Sequence, residues 1–138
     1  MTWYAAHIIM AVKYKRGVQR RFPVWENVVL IQAATEAQAF AKAEAIGLRD
    51  ASDDDGSMYW GGRLARWEFS GIRKLTECAL LSERPSDSDE VTYHELEFTS
   101  SAAVERYANG QPAEARHVDQ IRLMARPERQ PKARRKRA

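Results

Sequence analysis

Apolar and polar positions alternate over residues 3–15. Tyr4, Ala6, Ile8, Met10, Val12 and Tyr14 fall on one face, and Trp3, Ala5, His7, Ile9, Ala11, Lys13 and Lys15 on the other. A period of two is the signature of a strand. The first face is wholly apolar, whereas the second is mixed and turns polar at its end. That contrast predicts a sheet covered on one side and partly covered on the other. Residues 16–21 are polar with one glycine and read as a hairpin loop. A second strand is expected over 22–34, with Pro23 at its start because proline donates no ladder hydrogen bond. Its unbroken run Val28-Val29-Leu30-Ile31 reads as a central strand buried on both faces.

The period then changes. Thr35-Glu36-Ala37-Gln38 is a capping box: the Thr hydroxyl can accept from the Gln38 backbone N–H, and Gln38 can reach back. Ala and Glu dominate 36–46, and Phe40, Ala43 and Ile46 form an apolar stripe, so a helix is expected. Gly47 is expected at its C′ position. Residues 49–57 form an acidic loop. Met58-Tyr59-Trp60, Gly61-Gly62 and a long strand over 64–80 predict a second hairpin, with Gly71 at a bulge.

Residues 82–90 read as a loop and Val91–Thr99 as the fourth main strand. A short helix follows, capped by Ser100 or Ser101, carrying Val104, Tyr107 and Ala108 and ended by Asn109-Gly110. Residues 113–124 suit either a helix or an edge strand. The expected class is α+β: an antiparallel sheet of four to five strands with two helices packed on one face, in the order β-β-α-β-β-α.

Charge divides the chain. Residues 126–138 hold seven basic side chains and one acid, a net of +6, whereas the other 125 residues hold 15 basic and 18 acidic groups, a net of −3. The sequence pI of about 9.2 therefore belongs to the tail. A single α+β domain over 1–125 with a basic, disordered tail over 126–138 is expected. Cys78 is the only cysteine, which excludes an intrachain disulfide and fits a reducing compartment. No apolar run approaches the ~20 residues that span a bilayer. A cytoplasmic protein without membrane contact is expected.

Several of these segments recur together elsewhere. They are Trp3-Tyr4, Pro23-Val24-Trp25-Glu26-Asn27, the Glu36-Ala37…Ala39-Phe40…Ala43-Glu44…Gly47 helix, and Trp60-x-Gly62-x-x-Ala65-x-Trp67-x-Phe69-x-Gly71-Ile72-Arg73-Lys74-Leu75. Over about residues 2–110 the chain resembles a bacterial family known only as a domain of unknown function, DUF4288. The resemblance implies a stand-alone bacterial domain and carries no activity, cofactor or site residue with it.

The candidate chemistry is sparse. Glu26, between Trp25 and the Val-rich run, would be a general base if desolvated, acting with Arg73 or Glu68. The structural alternative pairs it across the strands with Lys13 or Arg73, and is preferred because buried carboxylates are usually paired. Trp60 and Trp67 stand among glycines with Arg63, Arg66 and Arg73 nearby; they suit core packing, or an aromatic groove for a peptide or base. His7, His94 and His117 lack any metal-ligand spacing, so no metal and no cofactor are expected. Cys78 suits inert core. The Asp53-Asp54-Asp55 run lacks the calcium-loop register, and no phosphate-binding glycine loop or nucleophile elbow occurs. Lys132, Arg134, Arg135, Lys136 and Arg137 suit contact with nucleic acid or an acidic partner. The reading preferred from sequence is a non-enzymatic domain that binds a protein through a sheet face or edge, in an inhibitor, immunity or accessory role. The basic tail adds attraction. Nucleic-acid association through the tail and a small enzyme using Glu26 are the alternatives.

Overall fold

The computed structural model describes residues 1–51, 56, 58–79, 81 and 84–118. Their elements follow in the order β1 (Thr2–Tyr14), β2 (Val24–Ala33), α1 (Glu36–Asp50), β3 (Tyr59–Trp60), β4 (Arg63–Glu77), β5 (Leu96–Glu97), α2 (Ser101–Ala108) and β6 (Arg116–His117). The class is α+β. The main sheet is antiparallel and four-stranded, in the order β2-β1-β4-β3.

β1 is therefore central and β2 lies at an edge, which corrects the expectation for residues 22–34. Val28 and Leu30 point away from the core and are 42% and 38% exposed, while Ile31 beside them is buried. An apolar run signals two-faced burial only when both faces of the sheet are covered at that strand. Here β1 separates β2 from the rest of the sheet. β1 itself has no exposed residue between Thr2 and Tyr14.

The second hairpin forms as its sequence predicts. Gly61 and Gly62 both have positive φ, at 56° and 77°, the conformation a two-residue hairpin turn of the favoured twist requires. Against β1, the register of β4 shifts between His7 and Ile8 and again between Ile9 and Met10, so Arg73 and Ser70 are extra residues flanking Gly71 and Ile72. Gly71 has φ 146°, which fits the expected bulge.

Two other expectations change. Val91–Thr99 supplies no main strand. Only Leu96–Glu97 pairs, and its partner is Arg116–His117, so these residues make a separate two-stranded ribbon. β4, 15 residues long, already occupies the free edge of β1, and β3 closes that side. The two helices also do not share one face. α1 packs on β1, β2 and β4, whereas α2 makes no comparable contact with the sheet among the described residues. α2 instead sets Tyr107 against Phe98, with ring centroids 5.2 Å apart.

α1 starts at the predicted cap. The Gln38 backbone N–H donates to Thr35 Oγ1 at 3.2 Å, and Gln38 Oε1 accepts from the Ala34 N–H at 3.1 Å. The helix runs three residues beyond Gly47, which is an internal, buried position and not a C′ residue. Its missing side chain makes room for Phe69: a Cβ at Gly47 would stand 2.4 Å from a Phe69 ring carbon. The main core lies between α1 and the first face of β1, and includes Tyr4, Ile8, Met10, Ile31, Phe40 and Ile72. A smaller cluster of Ala5, Cys78 and Leu81 lies on the second face. Residues 119–138, including the basic tail, lie outside the described residues.

Candidate functional site

The second face of β1 is where the chemistry collects. In the β1–β2 register Ile9 stands opposite Glu26 and His7 opposite Val28. Glu26 and His7 are diagonal neighbours on one face, close enough for long side chains to meet. His7 Nδ1 and Glu26 Oε2 are 2.7 Å apart. His7 is 0% exposed, while the Glu26 side chain keeps 29% of its surface. A carboxylate has only acceptors to offer, so a neutral His7 carries its proton on Nδ1 and donates it.

Burial pushes the His7 pKa below the ordinary histidine value. The Glu26 hydrogen bond and charge pull it up, and His94 and Lys74 push it down again, but burial is the largest influence. The ring is therefore neutral at neutral pH, and its link to Glu26 is a charge-assisted hydrogen bond rather than an ion pair. His7 Nε2 is left as a bare lone pair, buried and without a hydrogen-bond partner.

The chain after β4 supplies the rest. Lys74 Nζ donates to the Tyr93 carbonyl at 2.7 Å and sits 4.9 Å from the Tyr93 ring centroid. That anchor holds the next residue, His94, above β1. His94 Nε2 lies 3.7 Å from the same Glu26 oxygen that His7 approaches. The His7 and His94 rings meet edge to face at 5.0 Å. His117, opposite Leu96 in the ribbon, follows at 6.5 Å from His94. Beside them opens a cleft of about 480 Å³, lined by Ile9, Val24, Glu26, Gly71, Arg73 and His117. Two histidines distant in the sequence thus converge on one carboxylate, with His117 beside the second of them.

The other residues singled out from sequence divide between the two faces. Trp67 joins Trp60 and Trp25 in an aromatic triad, with centroid separations of 4.8 Å for Trp25–Trp67, 5.8 Å for Trp60–Trp67 and 6.4 Å for Trp25–Trp60. Trp67 also packs on the main core. Arg63 stacks on Tyr14 with its guanidinium carbon 3.8 Å from the ring centroid, and donates to the carbonyls of Val18 and Arg16. It ties down the β1–β2 loop. Arg66 pairs with Glu68 at 3.0 Å, and Glu68 also faces Lys13 at 3.8 Å. Glu26 therefore pairs with His7, not with Lys13. Arg73 reaches the cleft from its bulge. Cys78 is buried, and burial first and Glu77 second push its thiol pKa up, which disfavours the reactive thiolate. Lys132, Arg134, Arg135, Lys136 and Arg137 lie outside the described residues.

His7 and His94 are the site residues that spacing rules miss, because their ligand-like arrangement comes from three different segments. One signal was available: a histidine on the half-covered face of a strand, with a glutamate on the strand that follows it.

Residues 3–92 match one family's sequence pattern, a span that takes in β2, α1, β3, β4 and all of β1 but Thr2. The chain belongs to the family described as Domain of unknown function (DUF4288). In this DUF4288 domain the match contains His7 and Glu26 and stops two residues short of His94. No curated protein and no solved structure matches the chain. No helix among the described residues is long and apolar enough to cross a membrane.

Proposed function

We propose that this DUF4288 domain is a non-enzymatic interaction module, and that an extended segment of a protein partner adds to the sheet alongside β2. The observation that carries this reading is the state of that edge. β2 pairs with β1 alone among the described strands. Along it and just before it, Phe22, Val24, Trp25, Val28 and Leu30 are 55%, 51%, 52%, 42% and 38% exposed. An unpaired edge offers a row of backbone donors and acceptors, and natural sheets usually guard such rows with charge, proline or cover. β2 has one charged residue, Glu26, and its proline precedes it. Strand addition uses this combination: main-chain hydrogen bonds supply affinity and alternate side chains supply selectivity. Val24, Val28 and Leu30 on one face favour a partner segment that is apolar at alternate positions. The basic tail adds long-range attraction to an acidic partner.

The test uses the full chain and a partner isolated from the native host, then purified. Binding is measured for wild type and for Val28→Lys, which places a charge on the outer face of β2 without touching the core. A loss of at least ~10-fold in affinity is expected, along with slower amide exchange along β2 in the complex. Equal affinity in both proteins excludes the β2 edge. A wild-type chain that is dimeric by sedimentation and made monomeric by Val28→Lys assigns the edge to self-association instead. If removing residues 126–138 abolishes binding to nucleic acid in a salt-dependent way while Val28→Lys has no effect, the tail is the functional element.

A further inference from the structure

The convergence of His7, Glu26 and His94 calls for a second role, separate from the β2 edge. One carboxylate oxygen of Glu26 faces two imidazole nitrogens, His7 Nδ1 at 2.7 Å and His94 Nε2 at 3.7 Å. The ligand atoms these three residues offer all lie within 4.8 Å of one another. Each of the three can present a lone pair to a common point once His7 adopts its other tautomer. A proton serves one pair of them at a time; a metal ion serves all three.

We infer that His7, Glu26 and His94 form a binding site for a divalent first-row transition ion of the zinc type, with a further coordination position open to the adjoining cleft.

The dimensions support it. Bonds of about 2.0–2.2 Å from zinc to imidazole nitrogen and carboxylate oxygen, in tetrahedral geometry, put neighbouring ligand atoms roughly 3.3 Å apart. The two distances to Glu26 Oε2, 2.7 and 3.7 Å, bracket that value, so one contact opens and the other closes as the ion enters. His94, whose side chain is 38% exposed and sits outside regular structure, can adjust at little cost. His7 is fully buried and anchored in the central strand, and gives the site one rigid wall.

The donor set selects the class of ion. Two imidazoles with one carboxylate suit zinc, cobalt, nickel, copper and iron, and suit calcium or magnesium poorly, since those demand oxygen ligands. Three protein ligands are the number found in sites that keep a position for water or substrate. Glu26 both holds the ion and lines the cleft of about 480 Å³, so that position faces accessible space.

Proton bookkeeping is simple. When the ion takes the place of the hydrogen bond to Glu26, the His7 proton leaves Nδ1 and the neutral ring is protonated at Nε2 instead. Nε2 has no partner before the change, so the shift breaks no other hydrogen bond.

The experiment is zinc titration by calorimetry into the full chain, without a histidine tag and freed of metal, with the cobalt absorption spectrum as a second readout. Variants are Glu26→Gln and His94→Ala, with His117→Ala as comparison and circular dichroism to verify the fold of each. The expected result is one zinc per chain, at least ~10-fold weaker in both Glu26→Gln and His94→Ala, and a tetrahedral-type cobalt spectrum lost in those two. Added free imidazole should alter the cobalt spectrum by entering the open position. The inference is overturned if wild type shows no saturable binding of one ion. It is also overturned if folded Glu26→Gln and His94→Ala bind as wild type does, which places the ion elsewhere. Neither result bears on the β2 edge, whose test uses Val28→Lys.

Discussion

His7 and Glu26, 19 residues apart in the chain, meet across the β1–β2 pairing through a hydrogen bond of 2.7 Å between Nδ1 and Oε2. The pair joins a fully buried ring in the central strand to a partly open carboxylate on the edge strand. Its position links the folded core to the two surfaces proposed to act: the β2 edge and the cleft. Disturbing the pair should therefore be felt in stability as well as in binding.

The first consequence is pH dependence. The folded His7 pKa lies below the ordinary value of about 6.5, which the unfolded chain keeps. The groups facing the ring are Glu26, which favours its charged form, and His94 and Lys74, which oppose it. Below about 6.5 the unfolded state binds a proton that the folded state refuses, so stability falls as the pH drops through that value and toward the folded pKa. Above it His7 contributes no slope. Urea unfolding between pH 5 and 8 should show this decline at the acid end, and His7→Gln should flatten it. An unchanged slope in a folded His7→Gln protein would assign the decline to other groups.

A second prediction separates the carboxylate from the space it fills. Glu26→Ala leaves the His7 Nδ1 donor buried without its acceptor, a loss of about 1–3 kcal/mol. Glu26→Gln keeps an acceptor oxygen and should cost less. Chemical denaturation of the two variants checks the order. Equal losses would show that the stem and a neutral acceptor contribute nothing net and that the charge of the carboxylate is what matters.

Much of this architecture is legible in the chain before folding. The alternation of β1, the Thr35 cap, the Gly61-Gly62 turn and the Gly71 bulge are local devices, and local devices are written in short spans. The errors all concern what lies beside what. The Val28–Ile31 run looks central because hydrophobicity records burial preference and not the number of strand neighbours. Val91–Thr99 alternates like a strand, but β4 had already taken the open side of β1. The site failed for the same reason. A hairpin closing tightly on 16–21 would put Ala11 opposite Glu26, whereas the observed register puts Ile9 there and brings His7 within reach. His94 arrives from a segment whose placement depends on the Lys74–Tyr93 contact, and no spacing rule contains that information.

Gly47 offers a sharp test of packing against propensity. In an exposed helix, Gly→Ala stabilises by up to ~1 kcal/mol. Here a Cβ would lie 2.4 Å from the Phe69 ring, in a core where α1 meets β4. The ring must move, and overpacking of this kind costs about 1–3 kcal/mol. Gly47→Ala should therefore lower the melting temperature. Combining it with Phe69→Leu, which shortens the opposing group, should recover part of the loss through a favourable coupling between the two sites. A Gly47→Ala protein more stable than wild type would show that the helix can shift off the sheet at little cost.

Arg63 decides between anchor and ligand-binding residue. Its guanidinium is engaged by the Tyr14 ring and by the carbonyls of Arg16 and Val18, all within the β1–β2 connection. Arg63→Ala should release the loop over residues 15–23 and cost about 1–2 kcal/mol through lost hydrogen bonds and stacking. Because that loop leads directly into β2, the change should also raise amide exchange at Val24 and Trp25 while leaving α1 unaffected. Arg63→Lys keeps the charge but loses the planar fork, and should restore little of the protection. Full recovery with lysine would mean that charge alone holds the loop, and exchange unchanged in Arg63→Ala would mean that the arginine is free to serve a partner.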